Sequence, residues 1–135
     1  MEKLTEDQTI DALIKHLKSG GWTINSCCKG QQRGHDIDAS NNGQQLLIEV
    51  KGARAGDNSP TKKRPHFDGG QIKTHFGRAI VKVLESKRTH PNATHAIAHP
   101  DDAKVKQTID GLIPALGELG IKHFWVSSDG TVSEK

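Results

Sequence analysis

The chain has 135 residues, 33% of them apolar and 26% charged, with 19 Lys and Arg against 16 Asp and Glu for a formal net charge of +3. That is the length of one domain spanning residues 1–135, enough to bury a core, at about 100–200 residues per domain. A mean hydropathy of −0.64 leaves no run of the roughly 20 apolar residues that a membrane span needs, and no charged-then-apolar leader opens the sequence, so a soluble, cytoplasmic protein with no membrane partner is expected.

From Thr5 to Ser19 the apolar residues Ile10, Leu13, Ile14 and Leu17 form a helical stripe, with Thr5 as N-cap and Gly20-Gly21 as the stop. Trp22 to Cys27 alternates and reads as a strand. The neighbouring pair Cys27-Cys28 holds the only cysteines, which excludes a disulfide scaffold, because a disulfide needs Cα atoms further apart and facing Cβ vectors. A second strand, His35 to Ala39, leads into Ser40-Asn41-Asn42-Gly43, whose Asn-Gly pair tolerates the positive φ of a tight hairpin. The third strand is Leu46 to Lys51.

Gly52 to Gly70 is rich in Gly, Pro, Ser and Lys without an apolar period, a long loop of the kind that is usually functional or disordered. A helix is predicted from about Gln71 to Ser86, burying Ile72, Phe76, Ile80, Val83 and Leu84. Thr94 to Ala98 is a short strand. A helical stretch begins at the Asp101-Asp102 cap, carries Val105, Ile109, Leu112 and Leu116, and breaks or kinks at Pro114. Lys122 to Val126 is the last clear strand, and Asp129-Gly130 turns into a short tail. The order α-β-β-β-α-β-α-β predicts an α/β fold, a mixed sheet with helices on both faces.

The charge is unevenly spread. Residues 51–88 hold ten basic residues against three acidic ones, a net +7, which leaves −4 for the remainder. Such asymmetry is either a solvated basic surface or the footprint of a polyanionic partner, since each Lys or Arg set against a phosphate releases condensed counterions.

In the third strand Ile48 and Val50 point one way while Glu49 and Lys51 share the other face, roughly 6.6 Å apart. The hairpin brings Asp36 alongside. Asp36 and Glu49 then offer hard oxygen ligands to a divalent cation such as Mg²⁺, or Mn²⁺ in its place, which polarises a phosphoryl oxygen and acidifies a bound water. Lys51 can orient that water or stabilise charge on the phosphate. A plain ion pair between Glu49 and Lys51 is the alternative for these two residues alone.

Taken together, Asp36, the Asn-Gly turn, the run Leu46-Leu47-Ile48 and Glu49-Val50-Lys51-Gly52, behind a capped helix and ahead of a basic one, resemble the PD-(D/E)XK nuclease superfamily. The resemblance covers Thr5 to Ala98 and implies the restriction-endonuclease-like αβββαβ core, here followed by a C-terminal helix and strand. It implies that Asp36 and Glu49 are metal ligands and Lys51 the catalytic lysine. His35 stands where that family usually has a proline before the aspartate. Many members, Holliday-junction resolvases among them, add a first-helix Glu to the metal site. Glu6 lies on the stripe Glu6, Ile10, Leu13, Leu17 and fits that place; Asp7 flanks it, and for both a favourable charge at a helix N-terminus is the competing role.

On the second helix Gln71, His75, Arg78 and Lys82 form one polar stripe. Gln71-Ile72-Lys73-Thr74-His75 is similar to the Gln-hydrophobic-x-x-Tyr element of some of these nucleases, with His in place of Tyr, which assigns Gln71 to the active site. His75, Arg78 and Lys82, with Lys62, Lys63 and Arg64 in the preceding loop, are candidate contacts to a nucleic-acid backbone. The eight histidines fail a zinc test: His95 and His99 would stand roughly 13 Å apart on a strand, and neither Cys-x-x-Cys nor His-Glu-x-x-His occurs. Trp22, Phe76, Phe124 and Trp125 fall in core positions rather than on a base-stacking platform. The expectation is a Mg²⁺-dependent endonuclease acting on DNA, as a monomer or a two-fold homodimer. Its rivals are a non-catalytic nucleic-acid-binding module, an RNA nuclease and a module whose basic face meets an acidic protein.

Overall fold

The structure is a computed structural model that describes residues 3–27, 34–54 and 67–134. Its elements run α1 (Glu6–Ser19), β1 (Thr23–Cys27), β2 (Ile37–Asn41), β3 (Gln44–Val50), α2 (Gly69–Thr89), β4 (Thr94–Pro100), α3 (Ala103–Ile109), a 3₁₀ turn over Asp110–Leu112, α4 (Ile113–Glu118), β5 (Ile121–Val126) and β6 (Val132–Glu134). This is the expected αβββαβ core with a mixed sheet, followed by further helix and strand. No described helix is long and apolar enough to cross a membrane.

The six strands lie in the order β1-β2-β3-β4-β5-β6. β1, β2 and β3 form an antiparallel meander, β4 and β5 add in parallel to β3, and β6 closes the far edge antiparallel to β5. Asn42 and Gly43, at φ 53° and 81°, make the β2–β3 hairpin with Asn41 opposite Gln44. Both residues occupy the left-handed region that a twist-matched two-residue turn requires. The two parallel steps need crossover helices, which α2 and the α3–α4 pair supply.

Alternation along the strands divides the core in two. Ile37, Ala39, Leu46, Ile48, Val50, Ala96, Ala98, Phe124 and Val126 face α1 and its Ile10, Leu13 and Leu17. Ile97, Ile121 and Trp125 face Phe76, Ala79 and Val83 of α2 and Val105, Ile109 and Leu116 beyond it. Trp22, on the α1 side, is partly buried against the first cluster.

The helix ends explain several boundaries. Thr5 caps α1 in a reciprocal box: Gln8 N donates to Thr5 Oγ1 at 3.1 Å and Thr5 N to Gln8 Oε1 at 2.8 Å. α2 begins two residues before the predicted Gln71, because Asp68 and Gln71 make the same box. Leu84 is 39% exposed, and Ala79 takes the buried place expected of it. The break in the third helical stretch comes at Asp110–Leu112 rather than at Pro114, which sits in the first turn of α4 where a missing N–H costs nothing. Leu112 is exposed and Ile113 buried in its stead. The expected tail carries β6, a three-residue strand with one apolar side chain, too short to show a period.

Candidate functional site

The site is built where β3 ends. Glu49 is buried, and its neighbours Ile48 and Val50 point into the α1 core, so its side chain emerges on the α2 side of the sheet. Asp36 immediately precedes β2 and stands level with Glu49, since Ile37 pairs with Ile48. Val50 N donates to Asp36 Oδ2 at 2.8 Å, which fixes the aspartate against the end of β3. The Glu49 carboxyl group lies close enough to that of Asp36 to oppose its ionisation. Burial, then the Glu49 charge, push the Asp36 carboxyl up to about 7 against the Val50 hydrogen bond that favours its anion.

The N-terminus of α1 is drawn to the same place by the residues after Glu49. Ala53 N donates to Leu4 O at 2.8 Å, and Arg54 Nε donates to Lys3 O at 3.0 Å. A Cβ on Gly52 would lie 2.5 Å from Glu6 N and 2.8 Å from Thr5 C, so only glycine permits this approach. Glu6 is thereby half-buried beside the pair. Its carboxyl is pushed up to about 7, first by burial and then by the Asp36 charge, while Lys51 and Lys82 pull it down.

Two lysines answer these acids. Lys51 is half-buried, donates its backbone N–H to Ala98 O at 2.9 Å, and acts electrostatically on Glu6, His75 and His99. Lys82 reaches across from α2 to place Nζ 3.2 Å from Glu49 Oε1. Its ammonium is favoured by Glu49, Asp36 and Glu6, which outweigh the burial that opposes its charge, so its pKa is raised. The expected outer stripe is therefore divided. Lys82 belongs to the acidic cluster as well as to the helix surface, Arg78 is exposed, and His75 packs edge-on to Phe67 at 4.6 Å between ring centroids.

Gln71 has a structural task at the start of α2. Its Oε1 accepts from Asp68 N at 3.0 Å and its own N–H donates to Asp68 Oδ1 at 2.8 Å, so its side chain caps α2. Lys62, Lys63 and Arg64 lie outside the described residues.

Asp36 and Glu49 fit a hard divalent cation. Two buried carboxyl groups close together, one of them forced to hold a proton near neutrality, form an acidic pair that a cation would relieve. Mg²⁺ commonly takes one or two carboxylates and keeps several waters. Among the described residues no three acidic, imidazole or thiol side chains close into a ready-made metal cage, so Glu6 stands near the pair without completing one.

His35, beside Asp36, is also a minor general-base candidate from the sequence, but sequence reasoning missed the other groups behind this pair. Ser86 Oγ lies 3.0 Å from His35 Nε2 and 2.9 Å from His95 Nε2, one turn of α2 beyond Lys82. The signal for His95 was its register opposite Leu47, which shares the strand face of Glu49. Deeper on that face His99 Nδ1 and His123 Nε2 meet at 2.9 Å, stacked and fully buried beside Trp125.

No family model matches this chain, and no curated protein matches it in sequence. Two solved structures share its architecture. One is an XisH family protein from Nostoc punctiforme, 16% identical, with a TM-score of 0.57 over 93% of this chain and 95% of that one. The other is a fdxN element excision controlling factor protein from Anabaena variabilis, 18% identical, with a TM-score of 0.60 over 94% and 96%. Identities this low establish a common α/β fold over nearly the whole of all three chains.

Proposed function

We propose that the protein is a metal-dependent nuclease that hydrolyses phosphodiester bonds, with DNA as its substrate. The observation that carries this reading is the Asp36–Glu49 pair, pinned at the end of β3 and flanked by Lys51 and Lys82. Burying two acids together is costly for stability and gains nothing unless they have work to do. Ligands in open α/β sheets bind at the carboxyl ends of parallel strands, and this pair sits at such an end.

When bound, a divalent cation polarises a phosphoryl oxygen and offsets its charge. The chain supplies the rest. Asp36, oriented by Val50 N–H, and Glu49 are the residues that would hold the cation, with Asp36 in its deprotonated form. Lys51 places a cationic group beside the phosphate, where negative charge grows as water attacks phosphorus; the P–O bond to the leaving strand breaks, and the proton lost by the water is made good on the leaving oxygen through solvent. Arg78 and the rest of the basic face of α2 position the strand through its phosphates. A structural neighbour named for control of element excision is compatible with a nucleic-acid substrate.

One observation favours a second reading. Lys82 pairs with Glu49, so the same surface would serve a nucleic-acid-binding module that does not cut. A panel of duplex, nicked, branched and single-stranded DNA with matched RNA, incubated with Mg²⁺ or Mn²⁺, separates the two. Cleavage of DNA that is lost in Lys51→Ala supports the nuclease. Salt-dependent binding with no cleavage of any substrate establishes the second reading, and cleavage of RNA in preference to DNA overturns the choice of substrate.

A further inference from the structure

Between α2 and the ends of β2, β3 and β4 lies a cleft of about 320 Å³ that shares Glu49 and Lys82 with the acidic pair. Its size is at the lower end of the roughly 300–1,000 Å³ typical of ligand pockets, enough for one nucleoside and too little for a base pair. Leu47 and Val83 give it apolar walls. Leu47 is buried yet joins neither described core cluster. The other end carries the chain His35–Ser86–His95, with both imidazole Nε2 atoms about the Ser86 hydroxyl at 3.0 and 2.9 Å.

The chemistry of that end selects the ligand. Burial first, and then the positive charge of Lys87, lower the pKa of His95 and favour its neutral imidazole. Glu49 and Glu85 outnumber Lys82 on the wall, so the lining offers no excess of positive charge for an anion and suits a neutral polar edge. Because the hydroxyl rotates and each imidazole has two tautomers, the chain can offer either a donor or an acceptor. A flat heterocycle with apolar faces and a mixed donor and acceptor edge meets all three conditions. We propose that the cleft receives one unstacked nucleobase of the strand bound at Asp36 and Glu49, its faces against Leu47 and Val83 and its polar edge toward His35, Ser86 and His95. The location of the strand rests on the nuclease reading; the affinity of the cleft for a base does not. Extrusion of a base costs a few kcal/mol in a paired duplex and least at a mismatch or in a single strand, so substrates with an unpaired nucleotide are favoured.

The test is imidazole NMR of the whole protein titrated with each deoxynucleoside 5′-monophosphate and, in parallel, with deoxyribose 5-phosphate. The nucleotides, and not the sugar phosphate, are expected to shift the His35 and His95 signals with a dissociation constant on the order of 1 mM. Ser86→Leu fills the cleft and is expected to weaken that response by about tenfold, and Ser86→Ala by about threefold; melting curves report whether each variant folds, and Thr89→Trp, at the exposed rim, replaces Ser86→Leu if it does not. Equal shifts from the sugar phosphate, no shift from any nucleotide at roughly 10 mM, or an undiminished response in the filled variant each overturn the proposal. Cleavage without a base response refutes the cleft and leaves the nuclease reading standing, whereas a base response without cleavage does the reverse.

Discussion

The two faces of β3, β4 and β5 are made from alternate residues of the same strands and have opposite characters. Toward α1 they present Ile48, Val50, Ala96, Ala98, Phe124 and Val126, an apolar layer whose charge, Lys122 paired with Glu134, lies at the exposed rim. Toward α2 they present Glu49, His95, His99 and His123 among Leu47, Ile97 and Trp125, and these four polar groups are as buried as the leucines opposite. The first face follows from hydrophobic burial alone. The second accepts desolvated acids and imidazoles that an apolar layer would replace at lower cost. One side of this sheet is thus a plain apolar core, and the other carries the buried polar groups on which the proposed activity rests.

Breaking each face separately should give opposite phenotypes. The largest effect is expected on the polar side: Asp36→Ala or Glu49→Ala should lower DNA cleavage by about 10³-fold or more, or about 4 kcal/mol of transition-state stabilisation. The folded state should lose little, because a costly buried acid is removed; rates and melting curves on one preparation check both. Leu13→Ala, in the α1 layer, should destabilise by about 2–5 kcal/mol in denaturant titration, with cleavage intact wherever the protein remains folded. Gly52→Ala joins the two regions. Its Cβ must push the α1 N-terminus away from the end of β3, for an expected loss of about 1–3 kcal/mol together with reduced activity as Glu6 shifts.

The pH dependence of stability sharpens the contrast further. Asp36 and Glu6 are raised to about 7 from ordinary values near 4, so the folded state binds more protons than the unfolded one between those limits. Their contribution falls as pH rises from about 4 to about 7. His35, His75, His95 and His99 are lowered, so their contribution runs the other way and is lost as pH falls below about 6.5 toward their folded pKa values. Asp36→Asn removes one acidic contribution, and its melting temperature should gain on that of the wild type as pH rises from about 5 to about 8. The smallest effect is at a helix end: Thr5→Ala should cost about 1 kcal/mol by opening the α1 capping box.

Much of this was legible in the sequence. The Thr5 cap, the Asn-Gly hairpin and the alternation of Ile48 and Val50 with Glu49 placed α1, β2 and β3 within two residues and put Asp36 beside Glu49. The register of those strands depends on local turn chemistry and period, which a sequence carries. β6 was hidden because an edge strand of three residues is defined by its partner β5 and not by its own pattern. The capping role of Gln71 was also legible, since Asp68-x-x-Gln71 is a capping signal, but the likeness to a nuclease element drew the reading away from it. The association of Lys82 with Glu49, and of Ser86 with His35 and His95, depends on how α2 lies across the sheet. That crossing brings together residues 33, 51 and 9 positions apart and has no local sign.

Divalent-cation binding by Asp36 and Glu49 is open to a calorimetric titration of Mg²⁺ into the protein near pH 7, in two buffers of different ionisation enthalpy. Saturable binding with release of up to about one proton, abolished in Glu49→Gln and Asp36→Asn, is the predicted result, because the cation must displace the proton that burial holds on Asp36. Absence of Mg²⁺ and Mn²⁺ binding, or binding undiminished in both variants, would contradict it.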